Sequence, residues 1–266
     1  MHEISIVVFT LLVQISVGMS LAFAVGREQF TVNQSKSFLF AICAVACIGL
    51  TLSLTHLGYV WNAPFAITHF MTSWLSREIL LTSAFLGCLG LSFLIYVFKN
   101  TLVMPLVLAG VAFGIADVYA MSRIYTAASV AIWQSWATYA GFFGVALVGF
   151  CLSAISINLS KKKEVLIWPI ALLALGMIVR IIAQFDMLSG LDAEVESLGI
   201  LFPIRSEVSF REFIPQTYVA WGLYALSVSG LMVMAKAKKA SVPMAVGLSA
   251  GIVIAELILR IGFYSF

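Results

Sequence analysis

Charge is what this sequence has least of. Only 10% of its 266 residues are Asp, Glu, Lys or Arg, where a soluble domain carries about 25%. With 62% of the residues hydrophobic, no water-soluble core could absorb the apolar surface, and the chain is too long for a single anchor. Histidine is nearly as scarce, at three residues: His2, His56 and His69. Haem held between helices needs a pair of axial histidines from the spans, and only His56 falls inside an apolar run, which argues against a cytochrome b. The four cysteines, Cys43, Cys47, Cys88 and Cys151, lie in apolar segments without C-x-x-C spacing. They suggest neither an iron–sulfur site nor a disulfide framework, and read as packing residues. A Walker A motif, a dinucleotide fingerprint, zinc-ligand spacing and a G-x-S-x-G elbow are all missing. Nucleotide, metal and acyl-transfer chemistry therefore have no foothold here.

What is present is a series of long apolar runs. Eight can span a bilayer, since about 20 residues at 1.5 Å rise cover the ~30 Å hydrocarbon core. They lie near 4–25, 38–60, 79–98, 102–122, 138–157, 165–183, 217–235 and 242–263. In lipid only helices satisfy their own backbone groups without a closed barrel. The expected fold is thus an all-α, polytopic bundle forming one integral-membrane domain. The first run does not read as a cleaved signal peptide, because no basic region precedes it and Arg27 follows it. Loops after spans one, three, five and seven hold Arg27, Lys36, Lys99, Lys161, Lys162, Lys163, Lys236, Lys238 and Lys239, against Arg77, Arg123, Arg205 and Arg211 in the others. By the positive-inside rule both termini should lie outside the cytoplasm. The long connection at about 184–216, acidic and dotted with leucine and phenylalanine, is then extracytoplasmic. It reads either as an outward loop kept acidic by topology or as a docking surface for a partner.

The few ionisable groups inside spans are informative, since each costs about 2.5–3.5 kcal/mol at mid-helix on insertion scales. His56 lies roughly 6 Å below the outer end of span two at helical rise. Glu78, Asp117, Arg123, Arg180, Glu256 and Arg260 fall on the same outer side, and the cytoplasmic halves hold no ionisable side chain but cysteine. Simpler roles exist for each. Glu78, behind a candidate cap at Ser76, would complement a helix dipole. Glu256 and Arg260, spaced i, i+4, would neutralise each other. Arg123 and Arg180 could snorkel, and His56 could be a satisfied interior histidine. Most tryptophans (Trp61, Trp74, Trp133, Trp136, Trp221) fit an aromatic belt. Taken jointly, one-sided polar groups with no redox cofactor suit quinol oxidation. His56 would accept a hydrogen bond or proton, and Glu78 and Asp117 would pass protons to water. Arg77, Arg123 and Tyr125 would shape the site, and the electron acceptor would belong to a partner.

Several of these residues also form a recognisable series. Phe9, Thr10, Gln14 and Gly18 make F-T-x-x-x-Q-x-x-x-G. Thr55–Gly58 reads T-H-L-G, and Arg77-Glu78 follows in S-R-E-I. Arg123-x-Tyr125, Trp133, Trp136 and Gly141-Phe142-Phe143 complete the set. With eight spans, this resembles the membrane anchor subunit of bacterial dimethyl sulfoxide reductase, by motif over roughly the first 145 residues and by topology beyond. The resemblance implies a multi-pass protein of the bacterial inner membrane that oxidises menaquinol, with the quinol-binding histidine and acid at His56 and Glu78. It also implies an extracytoplasmic iron–sulfur subunit with [4Fe–4S] clusters and a molybdenum bis-MGD catalytic subunit that reduces an S- or N-oxide. The competing readings are a polysulfide-reductase-type anchor, a passive scaffold and, more remotely, a secondary transporter. The off-centre charges and the lack of a visible repeat disfavour the transporter.

Overall fold

The computed structural model describes residues 2–54, 65, 67–162, 165–198, 204–237 and 241–265, with backbone alone for 2–3, 67, 131, 161–162, 189–198 and 204–212. Among them are eight long helices: α1 (His2–Gly26), α2 (Val32–Leu54), α3 (Trp74–Lys99), α4 (Met104–Thr126), α5 (Trp136–Lys162), α6 (Ile167–Leu198), α7 (Ile204–Ala237) and α8 (Val242–Tyr264). No strand occurs among the described residues. All eight hold stretches long and apolar enough to cross a membrane, one for each of the eight runs expected from the sequence, although the second helix starts six residues before the run placed at 38–60, of which 55–60 lie outside the described residues. Large apolar side chains such as Phe40, Phe98, Leu226 and Val233 face outward, as a lipid-facing surface requires.

The stretch expected as a loop at about 184–216 differs from that expectation. Helix α6 continues to Leu198 and α7 starts at Ile204, so both helices run on into that stretch. The reason is local. Leu191-Asp192-Ala193-Glu194-Val195-Glu196 is built largely of residues that tolerate or favour helix, so leaving the apolar zone does not end the helix. The acidic side chains Asp192, Glu194, Glu196, Glu207 and Glu212 lie outside the described residues.

The chain divides into two compact units, residues 1–124 with 145–154 and residues 125–144 with 155–266. In the first, α1 and α2 form an antiparallel hairpin, and α2 packs on α3. Helix α1 also crosses the middle of α5 at a pair of glycines. A Cβ on Gly18 would strike the Ala146 carbonyl and come within 2.9 Å of the Gly149 carbonyl carbon, and one on Gly149 would lie 2.9 Å from the Ile15 Cα. Small residues of this kind let membrane helices approach backbone to backbone, where apolar burial alone gives little drive. At the opposite end of the hairpin, α3 stops at Asn100, which adopts a left-handed φ of 52° and donates its N–H to the Tyr96 carbonyl at 3.1 Å. Lys36 caps this end, donating from Nζ to the Asn100 Oδ1 at 2.6 Å and lying 5.6 Å above the Tyr96 ring. In the second unit, α7 and α8 form the tightest pair and α6 packs on α7.

Candidate functional site

In the first unit, the buried positions of α3 run Glu78, Thr82, Phe85, Leu89, Ser92 and Tyr96. They are separated alternately by four and three residues, which is one face of a helix. Glu78 thus occupies a seam position that an apolar residue would ordinarily fill, and it is 6% exposed. Helix α4 answers with its own seam of Val107, Gly110, Gly114, Asp117 and Met121. A Cβ at Gly114 would lie 2.9 Å from the Phe85 ring and 2.8 Å from Val17, so this glycine admits both neighbours. One turn further on, Asp117 is 0% exposed. Its Oδ2 accepts a 2.8 Å hydrogen bond from the Thr82 hydroxyl, while its Oδ1 is buried without a hydrogen-bond partner among the described residues. Glu78 and Asp117 lie within electrostatic reach of each other. Neither makes an ion pair among the described residues. Both carboxyl groups are thus buried, linked through Thr82, which lies one turn from Glu78 on α3 and donates to Asp117 on α4.

The start of α3 corrects the simpler account of Glu78. The helix is capped by Ser73, whose hydroxyl accepts from the Ser76 N–H at 3.4 Å, and not by Ser76 as the sequence suggested. That shift moves Glu78 beyond the first turn, where the dipole no longer rewards an acid. Arg77 is a clamp on the preceding turn: its Nε donates to the Phe70 carbonyl at 2.9 Å and its Nη2 to the Met71 carbonyl at 2.6 Å. Its guanidinium lies 4.2 Å from the Trp74 ring centre, and that of Arg123 lies 5.2 Å from the same ring. Trp74 also meets Tyr119 edge to face at 5.9 Å. The expected group thus resolves into a carboxylate pair and an arginine–tryptophan stack. His56 and Trp61, the remaining expected members of this end, lie outside the described residues.

Tyr125 belongs to the second unit. Its hydroxyl accepts from the Tyr264 hydroxyl at 2.9 Å, and its ring packs among Trp133, Phe142 and Phe263 at 5.2–5.4 Å. Beside this aromatic cluster sits a second polar centre, whose pairing sequence reasoning missed. Arg180, 9% exposed, grips the carboxylate of Glu256, 1% exposed, with both terminal nitrogens, Nη2 to Oε2 at 2.9 Å. The sequence suggested that Arg180 could snorkel and that Glu256 and Arg260 could neutralise each other along one helix; Arg260 does lie within electrostatic reach of Glu256, but Arg180 does not snorkel. Instead Arg180 turns inward over Gly144, where a Cβ would sit 2.8 Å from its Nε. A bidentate fork of this sort is the strong form of the pair. Arg260, 4% exposed, stacks 4.1 Å from the centre of the Phe142 ring. The indole N–H of Trp221 donates to the Gln184 Oε1 at 2.8 Å, and that of Trp133 to the Phe263 carbonyl at 2.9 Å. The indole N–H of Trp136 likewise donates to the Asp186 Oδ2, at 2.6 Å, while its ring and that of Trp168 stay exposed as in an aromatic belt.

These groups border a partly open recess of about 100 Å³. Aromatic walls, two guanidinium groups and one carboxylate make it suited to a flat, partly polar ligand.

Over residues 1–266 the chain matches the model of a family described as DMSO reductase anchor subunit (DmsC). A relative from Haemophilus influenzae, the C subunit of anaerobic dimethyl sulfoxide reductase, is 26% identical over 247 residues, covering 87% of this chain and 88% of its own length. No solved structure matches.

Proposed function

The chain belongs to the family of DMSO reductase anchor subunits, and from that premise we propose that its first unit binds and oxidises menaquinol and hands the electrons to an iron–sulfur partner. The observation that supports this reading is the buried carboxylate pair, with the Asp117 Oδ1 left without a partner. Oxidising a quinol removes two protons and two electrons. The protons need acceptors at the ring hydroxyls, and the electrons need a redox centre that this chain does not supply. Carboxylates without counter-ions accept hydrogen bonds from hydroxyl groups and exchange protons with them. Glu78 and Asp117 have that chemistry, Thr82 orients Asp117, and His56 from the T-H-L-G motif is the proposed first acceptor. Arg77 and Trp74 hold the turn that leads into α3.

The lysine distribution, by the positive-inside rule, supports an extracytoplasmic position for this end of the unit. The [4Fe–4S] and molybdenum bis-MGD subunits of the proposed complex would dock there. Protons and electrons then leave on one side, and turnover moves no net charge across the membrane. The test is the whole complex reconstituted in sealed vesicles and driven by menaquinol. The expected result is oxide reduction with no membrane potential, lost on His56→Gln while dye-driven reduction persists. A clear potential overturns the sidedness, and normal quinol-driven turnover in His56→Gln overturns the site.

A further inference from the structure

Helix α1 carries the motif F-T-x-x-x-Q-x-x-x-G, and two of its members have local roles. Thr10 donates its hydroxyl back to the Ile6 and Val7 carbonyls at 3.0 and 3.2 Å, and Gly18 admits α5. Gln14 has neither kind of role. Its side chain is 0% exposed, and burying an amide carries a cost that an apolar residue of the same volume avoids. Its Nε2 donates to the Met121 Sδ at 3.5 Å, and a thioether is only a weak acceptor. The level of this pair in the bundle singles it out. Gly114, Asp117 and Met121 are buried together along one face of α4, and α1 touches both neighbours of Asp117 on that face. Val17 lies against Gly114, 2.8 Å from where a Cβ would stand, and Gln14 lies against Met121. The two helices therefore run antiparallel, with Asp117 bracketed by contacts to α1 on either side.

From α3, Asp117 meets a hydroxyl and an acid: Thr82 donates to its Oδ2, and Glu78 lies within electrostatic reach. Arg77 directs its Nε and Nη2 to the Phe70 and Met71 carbonyls. Acceptors for a hydroxyl proton are thus at hand, but a ring oxygen that loses its proton also needs a donor. Oxidation of a quinol breaks two O–H bonds, passes two protons to the site and two electrons to the iron–sulfur partner, and leaves two carbonyls. Negative charge builds on an oxygen as its proton departs, and a donor aimed at that oxygen stabilises it. A primary amide suits this place, because its N–H groups can stay on the oxygen while it changes from hydroxyl to carbonyl. We propose that Gln14 is a further residue of the quinol site, its Nε2 donating to the ring oxygen whose hydroxyl Asp117 deprotonates. This rests on the quinol reading of the first unit, and it adds a donor on α1 to the acceptors on α3 and α4. A bound ring draws Nε2 off the thioether onto a stronger acceptor, and Met121, unbranched and with three rotatable bonds, can follow.

The test is Gln14→Met in the whole complex in lipid nanodiscs, with menaquinol as the electron donor and menaquinone as the bound probe. Methionine keeps the volume and favours the helix but removes the N–H. Expected is a fall of about tenfold or more in menaquinol-driven kcat, as for a donor lost from a developing oxyanion. Dye-driven reduction, which does not draw on the quinol site, and the melting temperature should hold. The carbonyl stretch of bound, isotope-labelled menaquinone, read by infrared difference spectroscopy, should move to higher wavenumber as the N–H is lost. An unchanged turnover or an unmoved carbonyl band overturns the proposal. So does a parallel fall in melting temperature and both activities, which would make Gln14 a packing residue. Failure of both Gln14→Met and Gln14→Leu to assemble has the same meaning. Asp117→Asn, measured alongside, separates this proposal from the reading it rests on. A ratio of quinol-driven to dye-driven reduction that drops in Asp117→Asn but not in Gln14→Met removes Gln14 alone. A ratio that drops in neither removes the quinol reading itself.

Discussion

The two polar centres start from the same ingredient and end differently. Each places a carboxylate on a buried helical seam, Asp117 on α4 and Glu256 on α8. Glu256 meets a guanidinium fork from α6. Asp117 accepts from one threonine hydroxyl and lies within electrostatic reach of a second carboxyl group, and one of its oxygens has no hydrogen-bond partner among the described residues. A buried acid held by an arginine keeps a fixed charge and a fixed geometry. A buried acid with a hydroxyl and another acid for company has every reason to trade a proton. The first arrangement suits architecture, the second suits proton transfer.

That contrast can be broken most forcefully in the second unit. Arg180→Ala strands the Glu256 carboxylate, a defect that costs about 3–5 kcal/mol in buried pairs. The variant should unfold at markedly lower temperature in detergent and accumulate poorly in membranes. Replacing both partners by leucine should recover most of the loss, because an apolar pair needs no counter-ion; a double variant as unstable as the single one would show that the charges do more than neutralise each other. A smaller effect is expected in the first unit. Thr82→Val removes the one hydroxyl on Asp117, which for a buried acceptor costs about 1–3 kcal/mol, and quinol-driven turnover should fall by more than dye-driven turnover. Equal losses in both assays would make Thr82 a packing residue. Smallest is Ser73→Ala. Loss of an N-cap costs typically ~1 kcal/mol, and because Glu78 lies beyond the first turn, the quinol-to-dye activity ratio should hold. A collapse of that ratio would tie the cap to the site.

Much of the architecture is legible in the chain because lipid imposes long apolar runs, and eight such runs became eight helices. The overrun of α6 and α7 past those runs was not legible from hydropathy, since helix propensity persists where apolarity stops. Glu78 and Asp117 stand out as acids in apolar surroundings. Thr82 does not, for a threonine in such a run looks like any small residue until its i, i+4 relation to Glu78 is noticed. Pairing across helices was the harder matter. Arg180 and Glu256 are 76 residues apart, whereas Glu256 and Arg260 are one turn apart, so the visible local pair drew attention away from the bidentate one across helices. Likewise Ser73 and Ser76 offer two caps within one turn, and only the backbone at Ser73, extended at φ −106° and ψ 125°, decides between them. The division into two units left no mark in the sequence, because α5 contributes to both within a single apolar run.

The central claim is that the carboxylate pair of the first unit is where quinol gives up its protons. It is tested most directly by Asp117→Asn in the intact complex, measured as the ratio of menaquinol-driven to dye-driven reduction. The substitution keeps the shape and an acceptor for Thr82 but removes the group that exchanges protons. The ratio should fall by at least tenfold, toward the ~10²-fold that a positioned acid or base contributes, with dye-driven reduction retained. A ratio equal to that of the unaltered protein would contradict the claim and move quinol oxidation away from Asp117.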